Sequence, residues 1–340
     1  MKLFRLQAEN NLKEENIRPK QLFDEFLRLS EENADHFFMN VPRHDCNCPG
    51  CGSNDNDFTF EKRGFQYCTC HQCDSLFVNP RPAKEAFNKF YTESNSTKYF
   101  AEKFLPNVIE SRRQHIFVPR VKQTYELTLK ENIIPNVVLE IGAGHCIFLE
   151  EWGKTHPDTD RKAVEPNPIM AQYCRDLGLS VLESTSEDAK KWHNVADLVV
   201  SFEVLEHATD PLEFVLSLQK FVRPGGLLIA TGLSGDGFDI KILGEKSKNI
   251  SPPHHLNFCS VDGYYRLFTR AGLEEICIQT PGKLDVEIVS KAIKDNTLQL
   301  SEFEKLLLNK KPKILKNSQN FLSDNQLSSH CWITAKKPVK

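Results

Sequence analysis

The sequence predicts an α/β protein, a mostly parallel sheet with helices on both faces, preceded by a helical segment and a small cysteine-rich unit. Three observations carry this. From Val137 onward apolar β-type runs alternate with helical segments, as in VVLEIG, RKAVEP, LSVLES, ADLVVSFEVL and GGLLIATG. That rhythm belongs to strand–helix–strand units. Residues 41–82 are rich in Cys, Gly, Pro, Asn and Asp, with only short β-type pieces such as Phe58-Thr59-Phe60. Before them, Leu22, Phe23, Phe26, Leu27 and Leu29 sit at helical spacing among Glu, Lys and Arg.

Four segments follow. Residues 1–40 read as helical, with Pro19 suited to a helix first turn. Residues 41–82 form the cysteine-rich unit, and 83–130 return to helical patterning as a linker or lid. Residues 131–340 make the sheet domain.

Composition removes several function classes. Hydrophobic residues make up 40% and charged residues 26% of the 340-residue chain, enough for a full core. A net charge of −3 speaks against a duplex nucleic-acid binder, which needs a surplus of Lys and Arg. No apolar run approaches the ~20 residues that span a bilayer. The first residues, MKLFRLQAENNLKEENIRPK, lack a signal peptide's continuous apolar stretch. A cytoplasmic protein without membrane or nucleic-acid partners is expected, with oligomeric state open.

Six of the eleven cysteines fall between Cys46 and Cys73. In a reducing compartment such clustering points to metal rather than disulfides. Cys48-Pro-Gly-Cys51 and Cys70-His-Gln-Cys73 give C-x2-C-x18-C-x2-C, the spacing of a tetrahedral Zn²⁺ site. Each C-x-x-C turn aims two thiolates at one spot, and four soft ligands leave no open position, so the site is structural. Cys46 and Cys68 each lie two residues before a pair, and His71 sits between two ligands. All three are rival ligands. Reduced cysteines and an iron–sulfur cluster are the other readings.

Val137–Ile141 runs into Gly142-Ala143-Gly144, and a helix with Phe148, Leu149 and Trp152 follows. Small residues allow backbone to approach a ligand closely. A dinucleotide loop would read G-x-G-x-x-G, but Ile147 occupies the third glycine's place. About 20 residues on comes Glu165, placed to accept hydrogen bonds from a ribose diol. The ligand expected is an adenosine compound without a pyrophosphate.

VLEIGAG, AVEPNP, DLVVSFEVLEHATDP and FVRPGGLLIA together resemble class I S-adenosylmethionine-dependent methyltransferases over about 137–280. The subgroup resembled includes ubiquinone-type O-methyltransferases and sugar or secondary-metabolite methyltransferases. The cysteine block ending LFVNPRP, followed by FYTESNSTKYF, is similar to the zinc ribbon of one branch, some of whose members act on nucleotide-linked sugars.

The resemblance implies a Rossmann-like seven-stranded sheet with strand seven antiparallel. Leu273–Thr280 then fits strand six and Cys331–Ala335 strand seven, with a helical insertion at about 281–329 holding Phe303, Leu306, Leu307, Leu308 and Phe321. It also implies roles. Glu140, Gly142 and Gly144 would line the methionine end of S-adenosylmethionine, and Glu165 the ribose. Glu187 or Asp188 would meet the adenine amine, although a helix start favours acids by its dipole alone. Phe202 and Glu203 would close over the adenosine and sulfonium, and Pro224-Gly225-Gly226 would turn into strand five.

A methyl on a sulfonium is already electrophilic, so the protein must align an acceptor and, for a hydroxyl, take a proton. His255, His207 and His254 lie on loops predicted at the catalytic edge and are the candidate bases. Each has a plainer reading as a hydrogen-bonded loop histidine. Tyr91 and Tyr99 are further pocket candidates. Arg112 and Arg113 suit a phosphate or carboxylate on the substrate, or a solvated helix face. The acceptor expected is a hydroxyl (or carbon) of a small molecule, a sugar, nucleotide-sugar or related metabolite. The rivals are a nucleic-acid or protein methyltransferase docking through the ribbon, and a non-catalytic cofactor-binding scaffold.

Overall fold

The computed structural model describes residues 12–295, 301–302 and 311–339. Phe303, Leu306, Leu307 and Leu308 lie outside the described residues. In chain order the strands are β1 (Arg43–His44), β2 (Asn56–Lys62), β3 (Phe65–Cys70), β4 (Leu76–Val78), β5 (Arg81–Pro82), β6 (Val137–Ile141) and β7 (Asp160–Val164). They continue with β8 (Ser180–Leu182), β9 (Ala196–Ser201), β10 (Val222–Leu233), β11 (Asn257–Phe258), β12 (Glu274–Gln279) and β13 (His330–Lys336).

Seven strands form the main sheet in the order β12-β13-β10-β9-β6-β7-β8. β10, β9, β6, β7 and β8 are mutually parallel. β13 slots antiparallel between β10 and β12, pairing Leu227 with Lys336 and Leu233 with His330. The antiparallel last strand is therefore present, supplied by the segment expected to supply it.

The sheet is buried on both faces, which is why its strands read as continuous apolar runs. Leu139, Ile141 and Val199 enter one core with Phe214, Leu218 and Phe221. Their alternates Val138, Leu198 and Val200 enter the other with Phe148 and Trp152. The connecting helices start where the sequence provides caps. Asn167 Oδ1 accepts from the N–H groups of Ile169 and Met170, with Pro168 in the first turn of helix Pro168–Asp176. Asp210 does the same for helix Pro211–Phe221, and Ser260 for Val261–Arg270. Pro224-Gly225-Gly226 is not a turn before the fifth strand. It lies inside β10 as a bulge, where the register against β9 shifts between Val222 and Leu227.

The N-terminal part covers the edge where the parallel strands end. Helix Lys20–Phe38 lays Leu22, Phe23 and Phe26 on Phe100 and Phe104. Further along, Phe38 packs on Phe65, Phe87 and Phe90. The cysteine-rich unit is a meander of β2, β3 and β4, completed by β11 from the loop after β10. The ribbon and the sheet domain thus share a sheet.

Candidate functional site

The chain leaves β6 through Glu140-Ile141, turns at Gly142–Cys146 and enters helix Ile147–Thr155. Gly142 has φ +70°, and a Cβ there would lie 2.7 Å from Val204 Cγ2, so glycine is required. Glu140 is buried, and its Oε2 has no hydrogen-bond partner. Burial raises its pKa well above the carboxylate range, with Arg120 opposing. Glu165, the residue after β7, is also buried. Its Oε2 accepts from the Gly144 N–H and its Oε1 from the Asn167 N–H, both at 2.8 Å. Burial raises this pKa too, against those two N–H groups.

Glu187 and Asp188 sit farther out. Glu187, half-buried, accepts from the Ser186 hydroxyl, and the exposed Asp188 accepts from the Thr185 hydroxyl, each at 2.9 Å. Beneath the loop, Cys146 and Cys174 form a disulfide joining it to helix Pro168–Asp176. The sequence reading, which took the compartment as reducing, gave no hint of this bond.

Phe202 and Glu203 leave β9 beside this loop. The Arg120 guanidinium lies over the Phe202 ring at 4.5 Å, and Phe148 meets the same ring at 5.0 Å. Glu203 Oε1 accepts from the Thr231 hydroxyl at 2.7 Å and from Arg120 Nη2 at 3.1 Å, and His330 Nδ1 is 3.5 Å away. Burial alone would raise the Glu203 pKa. His330, Arg120, the Thr231 hydroxyl and Arg112 together hold it down at about 2.

Three residues further, Glu206 and His207 meet His255 from the loop after β10. One ligand-type atom from each of the three lies within 4.8 Å of the others. Glu206 is 2% exposed, and its Oε2 has no hydrogen-bond partner. His255 Nδ1 lies 2.5 Å from the Asn249 carbonyl, so it carries the proton and Nε2 stays free. His207 Nδ1 is 3.4 Å from the Tyr91 hydroxyl. Burial lowers the pKa of His207 to about 4 and of His255 to about 3, so both rings are neutral near pH 7. His254 packs among Phe26, Phe90 and Tyr91 with Nε2 buried and unpartnered.

The glycine turn with its two buried acids and the Glu206–His207–His255 cluster thus share the carboxyl edge of a parallel sheet, where ligands of such sheets bind. Residues 110–278 match the family model described as a methyltransferase domain. The ubiquinone biosynthesis O-methyltransferase of Cereibacter sphaeroides is 26% identical over 149 residues, 41% of this chain and 60% of that protein. The enzyme of the same name from Aliivibrio fischeri is 30% identical over 111 residues, 31% of this chain and 47% of that one. The chain spans about half to three-fifths of the length of these relatives. Among solved structures, the plantazolicin methyltransferase BamL with a triazolic desmethylPZN analog and SAH overlays with a TM-score of 0.50. That overlay has 11% identity and covers 74% of this chain and 94% of that one. The chain carries a class I S-adenosylmethionine-dependent methyltransferase domain.

The ribbon is docked on this domain at several points. Cys48 Sγ is 3.5 Å from Cys73 Sγ, Cys51 Sγ is 3.5 Å from Cys70 Sγ, and all four sulfurs lie within 4.8 Å of one another. Four Zn–S bonds of about 2.3 Å in a tetrahedron put sulfurs about 3.8 Å apart, so the four cysteines fit Zn²⁺. Cys46 and Cys68 point elsewhere, toward the carbonyls of Val78 and Asn79. His71 pairs with Asp57 at 3.0 Å on the surface. Arg270 of the methyltransferase domain donates to the Pro49 and Gly50 carbonyls within the first knuckle. Tyr67, fully buried on β3, donates its hydroxyl to the His255 carbonyl at 2.6 Å.

The pair Arg112-Arg113 divides. Arg113 spends its guanidinium on Glu110, Glu150 and Glu151. Arg112 faces Arg18, Arg120 and Glu203, and its Nε is buried without a partner. Tyr99 joins the Phe23–Phe26–Phe104 cluster rather than the histidines. The sequence reading missed Arg18, Arg120, Thr231, Asn249 and His330, which come from five separate elements. The Glu203 acid was the available signal, since a buried carboxylate needs partners. Among the described residues no helix is long and apolar enough to cross a membrane.

Proposed function

We propose that this chain transfers the methyl group of S-adenosylmethionine to a hydroxyl of a small metabolite, a sugar, nucleotide-sugar or related compound that also carries an acidic group. The observation that carries it is the placement of the Glu140–Gly144 and Glu165 cradle beside the Glu206–His207–His255 cluster, linked by Phe202-Glu203. The cofactor, when bound, supplies an electrophilic methyl on a sulfonium. The cradle fits it: Gly142 has no room for a side chain, and Glu140 Oε2 is a buried polar atom without a hydrogen-bond partner.

Glu140, Gly142 and Gly144 hold the methionine end, and Glu165 the ribose hydroxyls. Glu187 or Asp188 meets the adenine amine. Phe202 and Glu203 flank the adenosine and sulfonium. His255, with its Nδ1–H fixed on Asn249 and its Nε2 free, heads the three histidines as acceptor of the hydroxyl proton. His207 and His254 shape the same wall. Arg112, half-buried with its Nε unpartnered, takes the acidic group. Cys48, Cys51, Cys70 and Cys73 hold a structural Zn²⁺. Transfer to oxygen agrees with relatives named O-methyltransferases. Those names favour a second reading, an acceptor belonging to ubiquinone biosynthesis.

The test is calorimetric titration with S-adenosylmethionine, then a methyl-transfer screen over nucleotide-sugars and phenols. Absence of cofactor binding sinks the proposal. Methylation of phenols alone selects the second reading. Full activity in His255→Ala removes His255 as the base.

A further inference from the structure

The glycine turn after β6 is fastened from below by a pair of sulfurs. Cys146 closes that turn and is the N-cap of helix Ile147–Thr155. It sits in the left-handed region, at φ 53° and ψ 27°, without being glycine. Such a conformation strains a residue with a side chain and persists only where its surroundings hold it. The Cys146 side chain caps nothing. It is committed to the bond with Cys174, 28 residues on in helix Pro168–Asp176. The two Cα atoms are 5.5 Å apart, so the bond displaces neither backbone.

The same two elements hold Glu165. The N–H of Gly144, two residues before Cys146, donates to its Oε2, and the N–H of Asn167, the N-cap of the Cys174 helix, donates to its Oε1. Cys174 Sγ lies 3.4 Å from the Gly144 carbonyl oxygen. The His145 ring packs on Tyr173 at 4.6 Å, but both its nitrogens are buried without hydrogen-bond partners, so this contact adds no polar tie. One covalent link therefore braces the turn, the helix and the carboxylate between them. The other nine cysteines are free, which suits a milieu that keeps thiols reduced, and there a disulfide can be broken as well as made.

We infer that Cys146 and Cys174 are a redox pair whose oxidation state sets the order of the glycine turn and, through it, the affinity for S-adenosylmethionine. The affinity part rests on the proposed roles of Gly142, Gly144 and Glu165. In reduction, one thiolate of a cellular dithiol attacks one sulfur of the pair, and the other sulfur leaves as a thiolate. The second thiolate of the dithiol then displaces the protein from that mixed disulfide. Two electrons pass to the pair, the two protons of the dithiol end on the cysteines, and the dithiol becomes a disulfide. Both cysteines are fully buried, so attack waits for the turn to open, and bound cofactor should slow it. By linkage, a cofactor that prefers the bonded form also favours that form.

The experiment poises zinc-containing full-length protein in mixtures of reduced and oxidised dithiothreitol, maps the pair by alkylation and mass spectrometry, and follows zinc by elemental analysis. Calorimetry gives the affinity for S-adenosylmethionine, and hydrogen exchange of the turn in cofactor-free protein reports on its order separately. Reduction should speed exchange in the turn and weaken S-adenosylmethionine binding at least ~5-fold, the low end of coupling between linked sites. Cys174→Ala, never exposed to reductant, should match the reduced protein and ignore the dithiol, which separates the effect from zinc loss. Adding Cys146→Gly to Cys174→Ala should bring affinity back toward the bonded level, because glycine takes φ 53° without strain. Exchange in the turn that is the same in both states, or a pair that never bonds across the mixtures, overturns the inference. Equal affinity in the two states overturns its cofactor part. If neither state binds S-adenosylmethionine, the proposed reaction fails, while faster exchange on reduction would still establish the redox pair.

Discussion

Removing one hydroxyl, Tyr67→Phe, tests whether the ribbon holds the acceptor loop in place. The Tyr67 ring is fully buried, and its hydroxyl makes a 2.6 Å bond to the His255 carbonyl. Phenylalanine keeps the packing and leaves that carbonyl without its donor. Stranding a buried acceptor costs about 1–3 kcal/mol. At roughly 2–4 °C per kcal/mol for a unit of this size, the melting temperature should fall by about 2–12 °C. If the cost falls on the position of His255, kcat drops by up to about 5–30-fold for each 1–2 kcal/mol lost at the transition state. Affinity for S-adenosylmethionine should not change, because Glu140–Gly144 and Glu165 lie on β6, β7 and their loops. Calorimetric binding, a thermal melt and steady-state kcat measure the three quantities. Wild-type kcat in a protein that melts earlier would refute the coupling. A fall in cofactor affinity in step with kcat would refute it too, because that would mark a general loosening.

Four other outcomes follow. Gly142→Ala, forced to φ +70° with its Cβ 2.7 Å from Val204 Cγ2, should lose S-adenosylmethionine binding at least ~10-fold by calorimetry while remaining folded by circular dichroism. Arg112→Leu should raise KM for an acidic acceptor ~10-fold or more and leave cofactor affinity alone, whereas Arg113→Leu should affect only stability. Stripping the ribbon with a strong zinc chelator should release one Zn²⁺ per chain and abolish transfer, because β11 and His255 hang on that unit; retained activity after full zinc loss would contradict this. Burial, followed by Asp285, pushes the Asp239 carboxyl up to about 7, so the folded state prefers its proton. Stability from this group is therefore greatest below its ordinary value of 3.8 and falls as pH rises toward about 7. Asp239→Asn should remove that slope in urea melts at pH 5 and 8, and an unchanged slope would exclude Asp239 as its source.

The sheet was legible because its physics is periodic. Strands buried on both faces must be apolar throughout, so VVLEIG and ADLVVS announce themselves. The convergence of Cys48, Cys51, Cys70 and Cys73 was legible because a C-x-x-C turn carries its geometry locally. What escaped was non-local or very short. β11 is two residues long, Asn257-Phe258, too short for any pattern, yet it stitches ribbon to domain. The shell around Glu203 draws Arg120, Thr231 and His330 from across 210 residues, and no spacing rule links them. Arg112 and Arg113 are neighbours in sequence, but adjacent helical residues point about 100° apart, so one reaches the site and the other meets Glu150 and Glu151. The Cys146–Cys174 bond joins a loop to a helix that only the fold brings together.

The placement of the ribbon bears on what it is for. A module that docks a macromolecule needs a free face and a connection that can tolerate motion. Here the contacts to the domain run through the metal knuckles themselves. Arg270 holds the Pro49 and Gly50 carbonyls, Ser260 Oγ donates to the Cys73 carbonyl, and Gly50 and Gly263 approach so closely that a Cβ on Gly50 would lie 2.8 Å from the Gly263 Cα. Below the knuckles, Arg81 donates to Asn257 Oδ1 at 2.7 Å and to the Thr209 carbonyl at 2.6 Å, tying β5 to the loops that carry His255 and His207. The Ser260 and Arg81 bonds are short, buried or both, so moving the ribbon would strand several polar groups at once. A unit fixed in this way would form a wall of the proposed acceptor side. Phe65, Tyr67, Leu76 and Val78 of the ribbon enter one core with Phe38, Phe87, Phe90, Leu256 and Phe258, which fixes that wall further. This argues for a small acceptor enclosed between ribbon and sheet, and against a ribbon that reaches outward for nucleic acid.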